Sequence, residues 1–201
     1  MRGVSVPPDP PPTTNGAPPA VAPEGPQAAL LRTVREVEQH VAAAGWDAPA
    51  RLFALIRTAD ALRRDPALLI QLPPDVVSAA RADDHHLTAV EQEDLPAADS
   101  LEELLGKIAW PPTVDGAALV TERVMLPPSV EAELPPAEDE ALQLLSSHPL
   151  REDVRIAAAV MRDGTRGCAL RVRSHDTDLE VAIGIDLVPG LVDALAATLR
   201  P

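Results

Sequence analysis

The feature that most constrains this chain is a late pair of alternating segments joined by a turn. Val154 to Met161 and Cys168 to Arg173 each show β-type alternation. Asp163-Gly164 between them marks a hairpin, with a loop up to Gly167 that is longer than the tightest type. In the second segment Cys168, Leu170 and Val172 point one way and Ala169, Arg171 and Arg173 the other, the pattern of a half-buried antiparallel sheet. Ala117 to Leu126 reads as a third strand of the same kind.

Such a sheet needs helices to cover it, and the sequence offers one at each end. Pro26 suits the first turn of a helix, where its missing N–H costs nothing. From there Leu30, Leu31, Val34, Val37 and Val41 recur at helical spacing, and Gly45 is placed as a stop. Arg32, Arg35, Glu36 and Glu38 are assigned away from that stripe. Pro189-Gly190 opens a closing amphipathic helix carrying Leu191, Val192, Leu195 and Leu199. The fold class expected is therefore α+β: a two-layer domain whose antiparallel sheet, a late β-meander, is packed by N-terminal and C-terminal helices.

Between these elements the signals are shorter. Arg51 to Thr58 is apolar on both alternating faces and fits strand or helix; a strand to about Arg57 is favoured, then a short helix through Ala61-Leu62-Arg63. Ala67 to Leu72 reads as another short helix, stopped by Pro73-Pro74. Residues 75 to 99 are the least regular and strongly acidic. Thr88-Ala89-Val90-Glu91 and Ser100-Leu101-Glu102-Glu103 both have the capping-box form, and the second opens a helix over Leu101 to Ala109. A further helix is expected from Glu138 to Ser147.

Nine of the first 26 residues are Pro, a composition that cannot offset its own ordering entropy. Residues 1–26 are accordingly expected as a disordered arm and 27–201 as a single globular domain. Pro7 to Pro12 carries P-x-x-P spacing, a ligand pattern for aromatic grooves, but a solvated tail is the reading taken.

Composition excludes several functions. The only aromatic residues are Trp46, Phe53 and Trp110, so base-stacking platforms and aromatic pockets are scarce. A formal net charge of −14 opposes affinity for nucleic acid or anionic membrane. Lys107 is the sole Lys beside sixteen Arg, which with abundant Ala and Pro reflects a GC-rich genome. No apolar run approaches the roughly 18 residues of a transmembrane helix, and the N-terminus has no signal-peptide pattern, so the expected location is cytoplasmic without membrane insertion. Cys168 is alone in an apolar strand and is expected as a buried, inert thiol.

No motif specifies a reaction. Asp83-Asp84-His85-His86 is the densest set of metal-type ligands, with Asp83, His85 and His86 as weak candidates, but neighbouring residues diverge and no H-x-x-x-H spacing accompanies them. Ser174-His175-Asp176 has the residue types of a triad in consecutive positions, whereas triads assemble in space. Phosphate-binding glycine loops are absent and no cofactor is expected. Charge polarity is more informative: Arg151, Arg155, Arg162, Arg166, Arg171 and Arg173 make the late hairpin basic within an acidic chain. Arg155, Arg171 and Arg173 are the candidates for an anion- or partner-binding row.

The stretches Leu31 to His40, Gly45-Trp46-Asp47 and Arg51 to Leu55 resemble a family of small acidic actinobacterial proteins to which no activity is assigned. So do His86-Leu87-Thr88, Glu91 to Pro96, Ile108 to Pro112 and Arg173 to Asp176. The resemblance covers the chain after about residue 28, implies a bacterial cytoplasmic setting and brings no catalytic residues with it. Two readings follow. The first is a non-catalytic binding or adaptor protein that holds a protein partner on the sheet or in a groove beside it. The second is an enzyme with its site near Asp83, Asp84, His85 and His86, or near His175 and Asp176.

Overall fold

The structure, a computed structural model, describes residues 25–126, 130 and 148–200. Residues 1–24 of the expected arm and the helix expected over Glu138 to Ser147 lie outside them.

Helix α1 (Pro26–Ala42) begins with Pro at its first position and buries Leu30, Val34, Val37 and Val41, as the spacing predicts. Glu38 corrects the reading of its polar side: it is fully buried. Four residues beyond Val34 and three before Val41, it shares their face. Gly45 follows with φ of 89°, the left-handed region that lets the chain turn away from the helix.

The ambiguous stretch is strand β1 (Arg51–Arg57). Leu52 and Ala54 enter one core while Phe53 and Leu55 enter another. Both faces are covered, so neither shows a polar alternation. Short helices α2 (Thr58–Arg64) and α3 (Leu68–Gln71) follow as expected. The acidic stretch is more regular than its sequence suggests, holding helix α4 (Pro74–Ala82) and strand β2 (Leu87–Glu91). Thr88 therefore caps no helix; five consecutive residues pair with β1 instead, from Leu87 opposite Arg57 to Glu91 opposite Phe53. At α5 (Leu101–Gly106) the capping box does form. Ser100 Oγ accepts from Glu103 N at 3.1 Å, and Glu103 reaches back to the N–H of Asp99 at 2.8 Å. The helix ends at Gly106, short of the expected Ala109.

Strands β3 (Gly116–Met125), β4 (Glu152–Met161) and β5 (Arg166–Val172) form the expected meander, which β6 (Ala182–Gly184) extends. The complete sheet is antiparallel and ordered β2-β1-β3-β4-β5-β6. Helix α6 (Pro189–Thr198) closes the described fold. The α+β architecture is thus an open six-stranded antiparallel sheet with helices.

The two terminal helices pack on opposite faces, which corrects the expected two-layer, half-buried arrangement: the sheet is the middle of three layers and is buried on both sides. On one face α1 meets Phe53, Leu55, Ala118, Val120, Ala157, Ala159 and Ala169. On the other, Val192, Leu195 and Leu199 of the α6 region and Leu105 of α5 meet Leu52, Leu119, Ala158, Val160 and Cys168. Cys168 is fully buried there, and burial pushes its thiol above the usual range.

Small residues on the sheet let α1 sit close. A Cβ placed on Gly167 would lie 3.1 Å from Leu31 and 3.4 Å from Val34, tighter than ordinary contact. A branched side chain there pushes the helix off its floor. Gly167→Val is expected to lower stability by about 1–3 kcal/mol in urea unfolding, with Gly167→Ala milder.

Candidate functional site

The candidate arginines sit at the polar end of the α1 face. Arg155 of β4 and Arg171 of β5 stand directly opposite each other, and Glu122 of β3 stands opposite Arg155 on the other side. Like charges so placed repel, and the structure resolves this with Glu38. Arg171 holds the Glu38 carboxylate bidentately at 2.7 and 2.8 Å. Its remaining N–H groups reach Asp178 at 2.6 Å and Asp176 at 3.2 Å. Glu38, through its hydrogen bonds foremost, and Asp178 raise its pKa. Arg155 donates to Glu122 at 2.9 Å and to the carbonyl of Gly45, and its Nη1 lies 3.8 Å from Glu38 Oε1 without a hydrogen bond.

The loop after α1 is drawn into the same cluster. Trp46 stacks on the Arg155 guanidinium at 4.2 Å and donates its indole N–H to Asp176 at 2.9 Å. Asp47, at a φ of 66°, gives its N–H to Glu122 and takes both Nη groups of Arg173 at 2.9 and 2.8 Å. The expected open arginine row is therefore absent at this place: Arg155 and Arg171 are buried against the protein's own carboxylates, and Arg173 is held by Asp47. The rest of the basic hairpin is likewise engaged. Arg162 donates to carbonyls of Trp110, Pro111, Val114 and Leu199, Arg166 pairs with Asp193 at 2.8 Å, and Arg151 pairs with Asp153 at 3.4 Å.

The other candidates do not converge. Asp83 pairs with Arg32 and accepts from the N–H of His85 at 2.8 Å, while His86 Nδ1 meets Thr58 Oγ1 at 2.8 Å. Among the described residues no group of three or more His, Cys, Asp or Glu is placed to hold a metal ion. Ser174 donates to Glu152, His175 meets Glu180 at 3.2 Å and Asp176 serves Trp46 and Arg171, so the three face different partners.

A cavity of about 460 Å³ opens instead between α1 and the edge strand β2. Phe53, Leu87 and Ala89 supply its apolar floor, Thr33, Glu36, Val37 and His40 its helical wall, and Val76 and His86 one end. His40 meets Phe53 edge-on, with ring centroids 6.3 Å apart, and lies 3.3 Å from Glu91 across the opening. Sequence reasoning missed this groove because it did not see β2. The available signal was Leu87 and Ala89 alternating beside a capping box that is never used.

The cluster makes two predictions. Glu38→Ala leaves Arg171 and Arg155 buried without their shared carboxylate and is expected to cost about 3–5 kcal/mol, read by denaturant unfolding. The second concerns acid. The Trp46 hydrogen bond, with Arg171, holds Asp176 below the usual carboxylate range, and the Arg173 hydrogen bond does the same for Asp47. A carboxylate lowered by folding stabilises above its unfolded pKa and loses that contribution as pH falls through its folded one. Wild type is thus expected to exceed Asp176→Asn in Tm above the unfolded carboxylate pKa of about 4, with the gap closing as pH falls below it.

Residues 30–200 match a family model described as PPA1309-like protein. No curated protein and no solved structure matches the chain. Because the match spans most of its length, the chain belongs to the PPA1309-like protein family.

Proposed function

We propose that this chain is a non-catalytic binding or adaptor protein of the bacterial cytoplasm, holding a protein partner in the groove between α1 and β2. The observation that carries the reading is the groove itself: an apolar floor beside a sheet edge, walled by a helix that the buried ion cluster fixes in place. An apolar recess with polar rim groups is the form recognition sites commonly take. The arginines that argued for anion capture are engaged internally, which moves the reading from the hairpin to the opposite edge of the sheet. No helix among the described residues is long and apolar enough to cross a membrane. The actinobacterial setting rests on the sequence resemblance.

The alternative, an enzyme near Asp83, Asp84, His85 and His86 or near His175 and Asp176, has less behind it. Asp83, His86, His175 and Asp176 each engage a separate partner.

Photo-crosslinking tests the proposal. A photoreactive residue at His40, on the groove wall, is expected to give a discrete protein adduct in the native host. The same residue at Ala194, exposed on α6, should give none. Glu36→Trp, which fills the opening from an exposed position, should abolish the adduct. Adducts that form equally at Ala194, or that survive Glu36→Trp, overturn the groove as the binding surface.

A further inference from the structure

The groove borders a sheet edge whose outward-facing backbone groups find no partner among the described residues. Gln92 N donates to Leu52 O at 2.8 Å and Thr58 N donates to His86 O at 3.0 Å, and these bonds bracket the β1–β2 ladder. Antiparallel alternation then turns the backbone groups of Thr88 and Val90 toward β1, and the N–H and C=O of Leu87, Ala89 and Glu91 away from it. β2 is the edge of the sheet, and among the described residues none pairs with those outward groups. The side chains of Leu87 and Ala89 meanwhile face the α1 core, so the open edge and the apolar floor belong to the same residues.

Charge selects among the occupants that could use this edge. Asp83 and Asp84 precede β2, Glu91, Glu93 and Asp94 end and follow it, and Glu36 stands on the facing wall. Arg32 pairs with Asp83, and Arg51 and His40 face Glu91, but Glu36, Asp84, Glu93 and Asp94 form no ion pair among the described residues. A second copy of this chain would bring the same acidic rim against itself, and a polyanion would be repelled by it. A basic segment is attracted.

We propose that β2 accepts an extended segment of a partner protein as an added strand, with aliphatic side chains at alternate positions entering the groove and Arg or Lys at its flanks. This rests on the groove reading above and specifies its chemistry. Backbone bonds to Leu87, Ala89 and Glu91 supply affinity independent of sequence, the groove selects small aliphatic side chains, and the acidic rim selects charge. The edge thereby recognises a basic β-strand rather than a helix.

The test uses the full chain and synthetic peptides that alternate Val and Thr between paired arginines. Fluorescence anisotropy is expected to show saturable binding that weakens with salt, with no binding of the same peptide flanked by glutamates. Methylating the peptide nitrogens that face β2 should weaken binding by about tenfold or more, while methylating the opposite set should leave β2 pairing intact. Hydrogen exchange should slow at the amides of Leu87, Ala89 and Glu91 on binding. Ala89→Pro, which removes an outward N–H at a sheet edge, should lose binding while keeping the far-ultraviolet spectrum. Absence of binding at millimolar peptide, or equal binding of the acidic peptide, overturns the proposal. Binding blocked by Glu36→Trp but indifferent to methylation of either nitrogen set, and without protection of those amides, overturns strand addition while sparing the groove. Binding indifferent to Glu36→Trp overturns both.

Discussion

Glu38 is the residue on which the arrangement of the α1 face depends. A carboxylate at a core position of a helix is a heavy burden unless cations meet it with good geometry. Here Arg171 does so bidentately while Arg155 adds its charge from 3.8 Å, and their own position requires an anion: the two arginines face each other across β4 and β5, where they would repel without one between them. The helix and the strands therefore fix each other's register. A rotation of α1 by one residue would withdraw the carboxylate, and a slip of β5 would carry Arg171 to the other face. The aliphatic residues alongside offer no such discrimination. Ala118, Ala157, Ala159 and Ala169 make a smooth floor on which a helix could rest in several ways. The apolar contacts hold α1 against the sheet, and the ion cluster sets its position there.

That placement reaches the groove. Glu36, Val37 and His40 form its wall because Glu38, between them in sequence, is pulled inward toward Arg171. The loop that leaves α1 is fastened by the same arginines, through the Gly45 carbonyl, the Trp46 ring and the Asp47 carboxylate. Charge that looked available for a ligand in the sequence thus acts on the fold's own geometry. The proposed partner surface lies where the helix overhangs the first edge strand, at the other side of the sheet.

Much of the fold was legible in the sequence, for identifiable reasons. The β4–β5 hairpin and β3 carry alternation over many residues, and the α1 stripe repeats through several turns. Two signals misled. The capping-box form of Thr88 to Glu91 is a local pattern of four residues, and a ladder with β1 outweighs it. Glu38 reads as a polar-side residue by its charge, although its spacing from Val34 and Val41 places it inside, where it is fully buried. The hairpin's basic character points to Arg155, Arg171 and Arg173, yet their carboxylate partners come from α1, the loop after it, β3 and the turn after β5. Sequence separations of 133 residues between Glu38 and Arg171, and 126 between Asp47 and Arg173, hide such pairs from any local reading. The groove was invisible for the same reason, because its walls meet only when β2 joins the sheet.

The two tryptophans give this architecture an optical consequence. With no tyrosine in the chain, near-ultraviolet absorption and intrinsic emission come almost entirely from Trp46 and Trp110. Trp46 lies against the guanidinium of Arg155 on the α1 face, and Trp110 packs in the opposite core with its indole N–H on Thr198 at 3.0 Å. Each face of the sheet therefore carries its own chromophore, one beside fixed charge and one among aliphatic side chains. Loosening of the ion cluster and detachment of the C-terminal helix would change different parts of the spectrum, so the two layers can be followed separately without a label.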